Sequence, residues 1–199
     1  NAERRKEFLK VTVDLLIENL QSLVNDWAPE VENYRNGFVN AQPKESLQKI
    51  LLGMTLLSGF ELAGERILVA YESKAQEDEH SCFSDTTHND AIYDIIGIKN
   101  IWTGKYTRAD GSIINGTGIK DLGLEIDNDL TKKIDDSLNS ALSKSMKVPR
   151  PFDQAILAEE GSATSKSIIS LIEELESTAD NLVVMADKSG VKVSREPDE

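Results

Sequence analysis

The sequence predicts an all-α protein, an antiparallel four-helix bundle with a long irregular loop region between the second and third long helices. Apolar residues recur at alternating steps of three and four along four separate stretches. Prolines stand at the ends of these stretches, and alternating β-branched runs of the kind that build sheets are scarce.

The first stripe is Leu9, Val13, Leu16, Leu20, Leu23 and Trp27, and Pro29 ends it. A second helix is expected to start near Pro43 and run from Lys44 to Ser73, with Ile50, Met54, Leu57, Leu68 and Tyr71 on one face. A short helical segment follows at Ala91 to Ile101. Four glycines, Gly104, Gly111, Gly116 and Gly118, then mark a long loop or a small hairpin. The third long helix carries Ile126, Leu130, Ile134, Leu138, Leu142 and Met146, with Asp121 or a neighbour as its cap and Pro149 and Pro151 bounding its end. Ile168, Ile172, Leu175, Ala179, Leu182 and Ala186 form the stripe of the fourth. We expect one bundle domain over residues 1–190 and a polar, frayed tail over 191–199.

At 199 residues and 39% apolar, the chain can bury a core. Its net charge of −13, without a basic cluster interleaved with aromatics, argues against nucleic acid and favours cations as partners. No apolar run approaches the roughly 20 residues that span a bilayer, and no signal peptide is visible, so the chain reads as soluble. Cys82 is the single cysteine and has no partner for an internal disulfide; a small buried hydrophobe is its ordinary role.

Chemistry concentrates between Glu72 and Asp90. Both histidines of the chain, His80 and His88, fall there together with Cys82, among carboxylates and hydroxyls that suit a metal. A solvated acidic loop is the alternative. Glu77 and His80 have the Glu-x-x-His spacing of carboxylate-rich metal bundles, provided the second helix continues that far; Asp85 and His88 offer an imperfect Asp-x-x-His copy. Within the second helix, Glu61 falls on the apolar stripe, where a carboxylate is costly unless paired or bound to a cation. Glu65 lies one turn on, rotated by ~40°, and Arg66 can neutralise one of the two. A buried Glu–Arg pair holding helix register is the structural alternative. Gly53, Gly59 and Gly64 interrupt the same helix, for close approach of a neighbouring helix or of a ligand. Ser81, Ser84, Thr86 and Thr87 can cap helices, but no ordered Ser-His-Asp arrangement, His-Glu-x-x-His motif or phosphate-binding loop is present.

Four blocks, Ser58 to Arg66, Gln76 to Asp90, Gly97 to Gly104 and Pro151 to Ala155, resemble the imelysin family, and within it the iron-regulated protein A type. The resemblance implies an all-helical protein of two four-helix-bundle halves, exported to the bacterial periplasm or cell envelope and tied to iron uptake. This chain is similar to the C-terminal half. The family's Gly-x-His-x-x-Glu motif, which belongs to the other half and underlies its classification as a metallopeptidase, has no match in the sequence.

By the same resemblance the functional cleft lies where the halves meet. Glu61, Glu65, Glu77, His80, Asp85 and His88 are the candidate metal or ligand contacts, supported by Arg66, Asp78, Glu79 and Ser84. The cofactor implied is iron, with zinc or another divalent metal as the alternative; the partners implied are the N-terminal half and a metal ion or metal-bearing ligand. Apolar surface left by an absent half also favours self-association. Three functions therefore stand side by side: an iron-linked metal-binding envelope protein, half of a metallopeptidase, and a purely structural helical interaction domain.

Overall fold

The computed structural model describes residues 1–197. The chain is predominantly helical, with one short two-stranded hairpin among the described residues. It divides into two compact units, Asn1–Leu47 and Gln48–Glu199.

In the first unit, α1 (Ala2–Asp26) carries the expected apolar stripe, yet none of its residues is buried. The chain turns after it around an aromatic cluster. Trp27 meets Tyr34 and Phe38 edge-on at 5.4 and 5.6 Å between ring centroids. Asn33 fixes this turn. Its amide donates to the carbonyls of Asn25 and Ala28 at 2.7 and 2.9 Å, and its side-chain oxygen caps α2 (Tyr34–Asn40) by accepting from the Asn36 N–H at 3.1 Å.

The second long helix forms as expected through Ser73, but its middle is wound differently. α3 (Pro43–Thr55) passes into a π-helical segment, Leu56–Leu68, and then into α4 (Val69–Ser73). Lys74 stops it in the left-handed region, φ 57°. A π segment of 13 residues far exceeds the single-turn bulge in which this geometry is usually met. Gly59 lies in it, and a Cβ there would come within 2.8 Å of the Ala179 Cβ. Close approach of a neighbouring helix therefore accounts for this glycine.

The core of the second unit is built on that segment and on α9 (Ala163–Lys188), which buries Ile168, Ile172, Leu175, Ala179, Leu182 and Ala186, its full expected stripe. α5 (Thr87–Thr103), foreseen as a short helix inside a loop region, is a main core element and buries Ala91, Ile95, Ile98 and Trp102. The Trp102 indole N–H donates to Asp135 at 3.2 Å. Strands β1 (Lys105–Thr107) and β2 (Ile113–Asn115) then pair antiparallel as a hairpin.

The third expected helix is broken in two, α6 (Ile119–Ile126) and α7 (Asn128–Ser145). Asp127 takes an extended conformation between them, and its carboxylate accepts from the Leu130 N–H at 2.9 Å as the cap of α7. α7 packs along α9 through Ile134, Leu138 and Ala141. Beside this apolar seam, the Glu174 carboxylate accepts from Ser137, Ser140 and Lys144 at 2.9, 2.6 and 2.6 Å. Burial pushes that carboxyl up, but these hydrogen bonds and the Lys144 charge outweigh it and hold it below the ordinary range. The short α8 (Phe152–Ala155) buries Phe152 and Ala155.

Beyond α9 the polar tail is partly tied down: Val191 is buried and the Lys192 carbonyl accepts from Gln48 at 2.8 Å. Asp198 and Glu199, the end of the stretch expected to fray, lie outside the described residues.

Candidate functional site

Because α4 ends at Ser73, the Glu77–His80 spacing does not lie on a helix. A single 3₁₀ turn, Gln76–Asp78, leaves Glu77 and Asp78 exposed, so the expected Glu-x-x-His pair does not form. The loop is ordered by hydrogen bonds of its own. Gln76 donates to the Cys82 carbonyl at 3.1 Å and to the Asp85 carboxylate at 2.6 Å. The Ser81 N–H donates to the Thr87 hydroxyl at 3.1 Å, and the hydroxyls of Ser84 and Thr86 meet at 2.7 Å. Asp85 sits in the left-handed region at φ 53°, before α5 begins, so Asp85 and His88 do not share a helix either.

These bonds turn Glu79 inward. Glu79 is 5% exposed, and no hydrogen bond of good geometry reaches either carboxylate oxygen, although the Thr87 hydroxyl lies close enough to favour the ionised form. Burial drives the carboxyl above its ordinary value; the Thr87 hydroxyl opposes the shift, and the nearby charges of Asp153 and Asp85 add to it. One residue on, His80 Nδ1 lies 3.8 Å from Asp94 Oδ2 on α5. That is within reach of an ion pair but too long for a hydrogen bond. Burial raises the Asp94 carboxyl as well; His80 and Arg66 oppose the shift and Asp90 adds to it. Buried atoms without a hydrogen-bond partner also occur at Asp90 Oδ2, Asp94 Oδ2, His88 Nδ1 and Asp153 Oδ1. Native proteins leave few such atoms, and several of these lie along this one loop and the helix it leads into.

Glu61 and Glu65 do not join them. In α-helical spacing Glu61 would fall on the buried stripe, but i and i+5 come together in the π segment. Glu61 instead pairs with Arg66 at 3.0 Å, with the two side chains 42% and 44% exposed. Glu65 is exposed. Glu79, expected as a supporting residue, is the most buried carboxylate of the group. Asp90, Asp94 and Asp153 were not among the candidates. Asp90 and Asp94 are one helical turn apart, a carboxylate pair legible in the sequence once a helix is placed at 87–103; Asp153 lies far away in sequence and is brought near Glu79 by the fold.

The donors present are hard carboxylate oxygens and imidazole nitrogen, which suit iron or zinc. Among the described residues, however, no three His, Cys, Asp or Glu side chains converge as a metal site. The described residues thus do not fit a self-contained metal centre.

Together these features define an all-α protein with a carboxylate- and imidazole-rich loop feeding into a core helix. The family model for Imelysin (peptidase M75) matches residues 1–179, and the chain belongs to the imelysin family. Its fold is similar to that of an imelysin peptidase from Bacteroides ovatus, with a TM-score of 0.65 and 18% identity over 85% of this chain and 49% of that one. The chain thus spans about half the length of that peptidase. No curated protein matches it.

Proposed function

We propose that this chain is the C-terminal half of an imelysin-like cell-envelope protein linked to iron uptake. In this reading the loop from Glu77 to His88 and the first turns of α5 supply part of the donor set for a metal or a metal-bearing ligand. The antiparallel four-helix arrangement of the long helices belongs to the same proposal, as does an N-terminal half that completes the site.

One observation carries the reading. Glu79 is buried with no well-formed hydrogen bond to either carboxylate oxygen and only the Thr87 hydroxyl to favour its charge, an arrangement that costs stability unless something positive approaches it. His80 with Asp94, and Asp153 near Glu79, give it neighbours of the chemistry a cation requires. With fewer than three converging donors, a metal that brings its own ligands suits the site better than a bare ion.

The test is calorimetric titration of the chain with ferric citrate and with zinc. We expect saturable binding near one per chain, weakened on the order of 10- to 100-fold in His80→Ala and in Asp94→Asn. Binding unchanged in both variants, or no binding at all, would remove the loop from the site. A structural role is then the remaining reading, in which Glu79 is held within the packed loop without a metal. A peptidase role needs the Gly-x-His-x-x-Glu motif that this sequence lacks.

A further inference from the structure

Away from the loop, a groove of about 500 Å³ runs between α7 and α9, a size within the range of small-molecule sites. Every residue that lines it belongs to the second unit, and every lining side chain carries a hydroxyl, a charge or an amide. The two helices are antiparallel here. Ser137 meets Thr178 at 2.6 Å, and about two turns further along α7 the Lys144 ammonium donates to the Ser170 carbonyl at 3.1 Å.

One group in that lining lacks its partner. Asn181 is 5% exposed, and its amide nitrogen Nδ2 is buried with no hydrogen-bond partner among the described residues. A buried donor left unmet costs stability, and an acceptor brought by a ligand would satisfy it.

Two helical turns back along α9, about 10 Å away, stands the Glu174 carboxylate. It already accepts from Ser137, Ser140 and Lys144. A carboxylate accepts about four hydrogen bonds, so one place remains. The Lys144 charge already balances Glu174, which favours a neutral donor there over a second cation. Lys133 and Asp136, both exposed and one turn apart on α7, put a cation and an anion on the rim of the same groove.

We propose that this groove binds a free amino acid with a neutral amide side chain, of the glutamine type. The ligand α-carboxylate accepts from the Asn181 amide and from Lys133, its α-ammonium pairs with Asp136, and its side-chain amide donates to the open position on Glu174. The site stands apart from the loop between Glu77 and His88 and needs no metal.

The test is calorimetric titration of the full 199-residue chain with L-glutamine at about pH 7. Saturable binding at one site is expected. L-glutamate, which sets a second carboxylate against Glu174, and 4-aminobutanamide, which lacks the α-carboxylate, should each bind roughly 10-fold or more weakly. Asn181→Ala should weaken L-glutamine by about 10-fold without lowering the melting temperature of the ligand-free protein, because Nδ2 has no partner to lose. Asp136→Asn, on the exposed rim where the fold is indifferent to it, should weaken L-glutamine as well. Absence of saturable binding would overturn the proposal. So would L-glutamate or 4-aminobutanamide bound as tightly as L-glutamine, or an affinity unchanged in either variant.

Discussion

Glu79 carries a carboxyl raised above its ordinary value of 4.5 mainly by burial, so the native state holds a proton that the unfolded chain releases. Stability must therefore fall as pH rises from that ordinary value through the folded one. Glu79→Gln, which keeps the shape and removes the charge, should raise stability at about pH 7 and change little at about pH 4. Urea unfolding at the two pH values checks it, and a loss of stability at neutral pH would mean that Glu79 has a partner. A residue that weakens the fold at neutral pH is what a binding site retains at the expense of stability. Glu61→Gln, by contrast, should change stability by less than about 0.5 kcal/mol in the same assay, because its pair with Arg66 is half exposed. The unusual composition around His80 and His88 was visible in the sequence. That Glu79 would turn inward, and Glu61 outward, was not: both depend on backbone geometry, a loop held by Gln76 and Thr87 and a π-helical register, that residue spacing does not encode.

Helix existence was largely legible, since a 3.6-residue period of apolar side chains is written in the sequence itself; α9 buries the stripe read from it. What could not be read is how each helix ends or winds. Asp127 breaks the third helix by capping with its own side chain, a local bond that competes with helix continuation. α5 looked short because its apolar positions follow a polar loop, yet Trp102 at its far end is wholly buried. The π segment gives the sharpest test at this scale. Gly59→Ala would drive a methyl to 2.8 Å from Ala179 and should cost about 1 to 3 kcal/mol through overpacking. Gly53→Ala, on the same long helix with nothing within 4 Å of the added Cβ, should instead stabilise by roughly 0.5 to 1 kcal/mol. Thermal melts of the pair decide it: equal effects at both positions would mean that helix packing does not set the glycine at 59.

At the scale of the whole molecule, a net charge of −13 raises the local concentration of cations around a loop already short of positive partners. No helix among the described residues is long and apolar enough to cross a membrane. The family was legible in four sequence blocks and is borne out by the match over residues 1–179. That no three His, Cys, Asp or Glu side chains converge among the described residues was not legible, because convergence of side chains is a property of the fold. The most direct test is the melting temperature of wild type and of the Glu79→Gln, His80→Ala double variant, each with and without ferric citrate or zinc at about pH 7, where ligand bound by the native state must raise stability. A rise in wild type that disappears in the double variant is the result expected of a cation site at Glu79 and His80. An equal rise in both proteins, or none in wild type, would contradict it.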